Sequence, residues 1–139
     1  MTGSGENAYS QDKVRPEAVA GQFYPSSPEE LNSELKTFFS VCSKTVPDAS
    51  VRAVIVPHAG YVFSGRVAAA AYSHISPTAS YKHIFILGPS HRAYIQGASV
   101  DTCFAYAKTP LGKIPIDQDL CLKLVREAGD VFSCVPEAH

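Results

Sequence analysis

Two histidines follow apolar runs of similar composition and stand among small residues. His58 follows the run Val51–Val56 and belongs to the motif Pro57-His58-Ala59-Gly60-Tyr61. His91 follows the run His83–Leu87 and closes the motif Gly88-Pro89-Ser90-His91. Short apolar runs rich in β-branched residues are typical of buried parallel strands. Each histidine is therefore predicted at the carboxyl end of a strand, the edge at which open α/β sheets bind ligands.

This placement leaves two interpretations open. Two imidazoles at one sheet edge can converge on a single ligand or metal ion, because neutral imidazole is the commonest metal ligand. Alternatively, each histidine is a hydrogen-bonded structural residue of its own turn. The other internal histidines, His74 in a helical pattern and His83 at a strand start, favour a structural role.

The length, composition and net charge of the chain limit the classes of function that fit it. The 139 residues, 45% hydrophobic and 18% charged, are typical of one globular domain. A net charge of -1 indicates neither a nucleic-acid partner nor a membrane surface. No apolar stretch approaches the roughly 20 residues that cross a bilayer, and the first residues lack the order of a secretory signal. A cytoplasmic location is expected.

The four cysteines, Cys42, Cys103, Cys121 and Cys134, are scattered without a Cys-x-x-Cys pair. This spacing indicates neither a zinc knuckle nor a disulfide framework. Buried free thiols are expected.

Local signals predict alternating strands and helices after a disordered N-terminal tail at residues 1–13. Capping patterns predict helices over about 28–43, beginning after Ser27, over 64–75, capped by Ser64, and over 117–128, capped by Asp117. Strands are predicted at 51–56 and 83–87, at 98–104, and as short pieces at 114–116 and 131–134. The expected fold class is α/β, with a mostly parallel sheet flanked by helices.

Two common catalytic motifs are disfavoured. The chain lacks a Gly-x-x-x-x-Gly-Lys-Ser/Thr phosphate loop. Ser90 lies in Gly88-Pro89-Ser90-His91-Arg92, but Arg92 stands where a nucleophile elbow needs its closing glycine. A Ser90 nucleophile is therefore not expected.

Four motifs occur in an order that resembles one known family. They are the stretch 15–25 with Ala18-Val19-Ala20-Gly21 and Phe23-Tyr24-Pro25, the His58 motif with Ser64-Gly65, the His91 motif, and Thr109-Pro110-Leu111-Gly112. Together they resemble the Memo-like family, also called AmmeMemoRadiSam system protein B, over roughly residues 15–139. The resemblance makes residues 14–139 the N-terminal part of a Memo-like α/β domain.

The resemblance implies a fold like that of the catalytic subunit of class III extradiol dioxygenases, where histidines at a sheet edge hold a non-haem metal. His58 and His91 match the two histidines that line the family's metal-binding pocket, which would bind iron, copper or zinc. Neighbouring residues expected in that pocket are Pro57, Gly60, Tyr61 and Ser90. The family name further implies radical SAM and AMMECR-type proteins as partners.

The chain also departs from the family pattern. Family members continue through a Glu-His-Ser-x-Glu segment, whereas this sequence ends at His139, so the fold is expected to be incomplete at the C-terminus. Two histidines leave a metal short of a third protein ligand, and Asp101 and Glu137 are candidates by residue type alone. One side of the sheet is then expected to expose an apolar patch, which pairs with another copy or with a C-terminal fragment.

Three functions fit these observations. The first is a metal-dependent, dioxygenase-like oxidoreductase with His58 and His91 as neutral ligands. The second is a pocket protein that binds a peptide, a small molecule or a metal without turnover. The third is a metal-dependent hydrolase that uses water acidified by the ion.

Overall fold

The computed structural model describes residues 13–42 and 51–139. The chain divides into two compact units: Met1–Glu17 together with Pro89–His139 form the first, and Ala18–Gly88 form the second. Nearly all of the tail predicted at residues 1–13 lies outside the described residues.

The described ranges contain three α-helices and five short strands. In chain order the elements are β1 (Val14–Arg15), α1 (Pro28–Ser40), α2 (Tyr61–Tyr72), β2 (Ala98–Ser99), β3 (Tyr106–Thr109), β4 (Gly112–Pro115), α3 (Gln118–Glu127) and β5 (Phe132–Ser133). A single 3-10 turn follows at Pro136–Ala138. None of these helices has the length and apolar character needed to cross a membrane.

In the second unit, α1 begins where its capping signal predicts. The Ser27 hydroxyl accepts a hydrogen bond from the Glu30 N–H at 3.3 Å, and Pro28 occupies the first helical position. Such a cap satisfies one of the N–H groups that a helix start leaves without a partner. The predicted cap is confirmed, while the helix ends at Ser40 rather than at residue 43.

Helix α2 begins three residues before the predicted start, with Gly60 as its N-cap. Ser64, predicted as the cap, is instead buried within the first turns, where its hydroxyl donates to the Ala59 carbonyl at 2.9 Å. A Cβ at the adjacent Gly65 would overlap the Phe38 ring of α1. The two helices therefore pack closely through a glycine.

The first unit holds two small sheets. Strand β3 pairs in parallel with β1 and antiparallel with β4, and the hairpin turns at residues 110–111. The Thr109–Gly112 motif forms this turn, in which the Thr109 hydroxyl donates to the Gly112 carbonyl at 3.0 Å. Strands β2 and β5 pair in parallel, with Ser99 opposite Ser133. Helix α3 precedes β5, and the Asp117 carboxylate caps it as predicted by accepting from the Leu120 N–H at 2.9 Å.

The strand predicted at 98–104 stops at Ser99, because the Asp101 carboxylate binds the backbone that follows it. Its Oδ1 atom accepts hydrogen bonds from the backbone N–H groups of Cys103 and Phe104, at 3.0 and 3.2 Å. An aspartate that binds backbone groups just ahead of it competes in this way with strand pairing.

The two apolar runs that precede the histidines are not strands. Residues 51–56 and 83–87 form no ladder among the described residues. The run 83–87 is exposed throughout, with Ile86 88% and Leu87 91% exposed, and in the run 51–56 Ile55 is 98% exposed while its valines are half-buried. The structure is mixed α/β, but the mostly parallel sheet that the sequence predicts is not seen in the described ranges. An extended run forms a strand only where a neighbour pairs with its backbone.

We expect the isolated 139-residue chain to self-associate through these runs. Contiguous exposed apolar surface of this kind is rare on monomers and drives association. Light scattering coupled to size-exclusion chromatography should show species larger than 14.9 kDa that increase with protein concentration. The double variant Ile55→Glu/Ile86→Glu should reduce the association.

The control for this prediction is Val41→Glu, which changes an exposed apolar residue outside both runs. This variant should associate like the parent chain. A monomer at all concentrations would contradict the prediction.

Gly97 should be irreplaceable at the start of β2. It has a φ of 83°, and an added Cβ would overlap the Val131 carbonyl oxygen, which accepts the Ala98 N–H that aligns β2 with β5. We expect Gly97→Ala to lower the free energy of unfolding by about 2 kcal/mol or more, since strain and overlap act together. Urea denaturation measures the change.

Gly88→Ala is the matched control. Gly88 has no atom within 4 Å of an added Cβ and no positive φ. Equal midpoints for the Gly97→Ala variant and the parent chain would refute the proposed constraint.

Candidate functional site

His58 lies in the second unit, exposed and two residues ahead of the N-cap of α2. The helix start beside it is firmly anchored. The Tyr61 N–H donates to the Phe23 carbonyl at 2.8 Å, and a Cβ on buried Gly60 would lie 3.4 Å from the same oxygen. The segment 57–60 that carries His58 is therefore held by the Tyr61–Phe23 hydrogen bond where it enters α2.

The side chain of Tyr61 strengthens this anchor. Its ring lies 5.7 Å from that of Tyr24 and 6.2 Å from that of Phe38, centroid to centroid. Burial among these groups raises the pKa of Tyr61, with smaller contributions from nearby Tyr24 and Glu34. Tyr61 therefore stays neutral under ordinary conditions and positions the loop that carries His58.

His91 lies in the first unit and is also exposed. The preceding Ser90 organises its turn, because the Ser90 hydroxyl donates to the Ala93 carbonyl at 2.7 Å and accepts from the Ala93 N–H at 3.2 Å. This engagement gives Ser90 a structural function and agrees with the absence of a nucleophile-elbow pattern. The predicted proximity of His58 and His91 stays a prediction, since they belong to different units.

The candidates for a third metal ligand do not join either histidine into a cluster. Within residues 13–42 and 51–139 no three His, Cys, Asp or Glu side chains are grouped as a metal site. The carboxylate of Asp101 is engaged by its own turn and by Arg15, whose Nη1 atom is 3.4 Å from Asp101 Oδ2. Glu137 is exposed in the 3-10 turn.

Sequence reasoning missed a polar cluster around Ser99 in the first unit. The Ser99 hydroxyl lies 2.8 Å from His139 Nε2 and accepts a hydrogen bond from the Val135 N–H at 2.9 Å. Buried Asp101 and its partner Arg15 both contribute to the electrostatics of His139. The strand predicted at 98–104 gives no sign of this cluster, because the residues that meet Ser99 are 36 and 40 positions away.

Burial lowers the pKa of His139. The Asp101 carboxylate opposes this effect, the Arg15 guanidinium adds to it, and a hydrogen bond with Val100 opposes it. The neutral imidazole is consequently the favoured form in the folded chain.

A family model described as Memo-like protein matches residues 15–137. The MEMO1 family protein MHO1 of Saccharomyces cerevisiae is 35% identical over 82% of this chain and 34% of its own length. A MEMO1 family protein of Methanosarcina barkeri is 40% identical over 85% of the chain and 42% of its own length.

Protein MEMO1 of Mus musculus is 39% identical over 73% of the chain and 33% of its own length. The chain thus spans well under half the length of these relatives.

His139 should make stability depend on pH in a defined direction. Its folded pKa lies below its ordinary value of 6.5, so the unfolded chain binds more protons below about pH 7. The free energy of unfolding should fall as the pH drops from 7 through 6.5 toward the lowered pKa. Denaturant titrations at several pH values measure the slope.

The variant His139→Gln keeps a side chain able to hydrogen-bond Ser99 but removes the titration. It should show a shallower decline than the parent chain over this pH interval. If the free energies of unfolding of the two proteins fell in parallel with pH, His139 would have the same pKa in the folded and unfolded chain. That result would contradict the prediction.

Proposed function

Because this chain belongs to the Memo-like protein family, we propose that His58 and His91 are two ligands of a divalent transition-metal site. The observation that carries the proposal is their shared setting. Both histidines are exposed residues beside backbone that hydrogen bonds hold, at the start of α2 for His58 and in the turn of Ser90 for His91. Imidazole suits iron, copper and zinc alike.

The turns around these histidines support the proposal by limiting motion. The anchored Gly60 and Tyr61 restrict the loop of His58, and the Ser90 hydroxyl restricts that of His91. A ligand held by its surroundings loses less conformational entropy when it binds. Pro57 beside His58 limits the backbone further.

Two imidazoles alone leave a metal under-coordinated. Catalytic zinc and non-haem iron sites use three protein ligands and keep further positions open. The relatives are more than twice as long as the matched segment. We infer that a third ligand is supplied by polypeptide that corresponds to the remaining length of those relatives.

The activity we propose for such a site is that of a dioxygenase-like oxidoreductase acting on a small molecule. An ion held there would supply redox chemistry, in which the substrate is oxidised and dioxygen is reduced. The residues of this chain bind the ion through neutral imidazoles and hold the surrounding loops. Tyr61, kept neutral by burial, contributes an apolar ring beside one of these loops.

Metal titration of single variants tests the site. His58→Ala and His91→Ala should each weaken Cu²⁺ binding by at least about tenfold, or ~1.4 kcal/mol, since each removes one ligand. Pulsed electron paramagnetic resonance of the Cu²⁺-loaded parent chain should report two coordinated imidazoles. Each variant should report one.

The control is His83→Ala, which removes another exposed histidine of the second unit. It should bind Cu²⁺ like the parent chain, and all three variants should keep the circular dichroism of the parent, because exposed loop residues contribute little to packing. Undiminished binding in His58→Ala and His91→Ala would exclude the shared site.

Turnover assays separate the proposed reaction from its alternatives. Aerobic conversion of catechols by the iron-loaded protein, lost in His58→Ala, supports the oxidoreductase. Hydrolysis of esters or amides without catechol turnover identifies a hydrolase instead. Metal or peptide binding with neither reaction identifies a non-catalytic pocket protein.

A further inference from the structure

Two of the four cysteines meet in the first unit although 31 residues separate them. The Sγ atoms of Cys103 and Cys134 lie 3.6 Å apart. All four cysteines are free thiols as predicted, but they are half-buried rather than buried. Both members of this pair are thus accessible to a small reagent.

The backbone holds this pair together independently of the sulfur atoms. Cys134 directly follows β5, which pairs in parallel with β2. The Ser99 hydroxyl fixes the segment after Cys134 by accepting from Val135, and the Val100 N–H donates to the Ser133 carbonyl at 2.9 Å. On the other side, the Asp101 carboxylate fixes the backbone N–H of Cys103.

This geometry is close to that of a disulfide. A disulfide bond is about 2.05 Å long, so the two sulfur atoms need to approach by about 1.5 Å. Rotation of two side chains about their Cα–Cβ bonds covers such a distance while the paired strands stay in register. Cys121, in α3, is half-buried and makes no sulfur hydrogen bond like this one among the described residues, although Cys134 is near enough to contribute to the raised pKa of its thiol.

We propose that Cys103 and Cys134 are a modification site at which hydrogen peroxide converts a dithiol into an intramolecular disulfide. One thiolate attacks a peroxide oxygen and breaks the O–O bond, which gives a sulfenic acid and hydroxide; the hydroxide takes up a proton to form water. The second thiol then displaces the sulfenic oxygen as a second water molecule, and the S–S bond forms. Two thiols lose two electrons and two protons, and one peroxide becomes two waters.

The pKa of the Cys103 thiol affects how the rate of the reaction depends on pH. Its hydrogen bond with Cys134 and its burial raise the pKa of the Cys103 thiol. The thiolate is the reactive form, so the reaction accelerates as the pH rises above neutrality. The disulfide closes the chain segment that contains the β3–β4 hairpin and α3, which restricts the unfolded chain.

Mass spectrometry of the peroxide-treated 139-residue chain tests this proposal. The expected product has lost two hydrogen atoms, and its non-reduced proteolytic digest contains one peptide pair that joins Cys103 to Cys134. Dithiothreitol should restore the original mass. The oxidised chain should also unfold at a higher temperature than the reduced chain.

Matched variants assign the reaction to the pair. Cys103→Ser and Cys134→Ser should each abolish the intramolecular disulfide and the rise in unfolding temperature, whereas Cys42→Ser and Cys121→Ser should retain both. Digests of the parent chain that show another cysteine pair, disulfide-linked dimers or only sulfinic acids would overturn the proposal. These readouts need no metal, so they are independent of the proposed histidine site.

Discussion

Strand pairing is the interaction on which the rest of this structure depends. In the first unit, β3 lies between β1 and β4, and β2 lies beside β5. In the second unit the apolar runs 51–56 and 83–87 join no sheet in the described ranges. Backbone N–H and C=O groups that lack sheet partners cannot be buried without cost. The side chains of 83–87 consequently stay exposed, and those of 51–56 are at most half-buried.

This constraint explains why burial is so limited. Within the described residues, Leu31 and Ala69 are the buried apolar side chains, and both belong to the helix pair of the second unit. Helices satisfy their own backbone and need only a face to pack on, so α1 and α2 can associate through Phe38 and Gly65. Strands need a neighbour before they can contribute to a core.

The same distinction decides how much of the fold could be predicted from sequence. The starts of α1 and α3 were predictable because Ser27 and Asp117 act on residues three positions away. The predicted start of α2 is three residues late, because the Ser64 hydroxyl does not cap the helix but donates to the earlier Ala59 carbonyl. The strands predicted at 51–56 and 83–87 are not seen, because a pairing partner is a property of the whole sheet and not of the run.

The candidate functional sites also combine local signals, which the sequence shows, with long-range contacts, which it does not show. His58 and His91 stand out in the sequence because the glycines, prolines and apolar runs beside them are local signals. The contacts that restrain their turns were less visible: the Phe23 carbonyl that holds Tyr61 belongs to a segment 38 positions earlier. Cys103 and Cys134 carry no local signal, because the parallel pairing of β2 with β5 is what brings them together. Local motifs therefore indicate which residues can do chemistry, whereas strand pairing decides which of them can do it together.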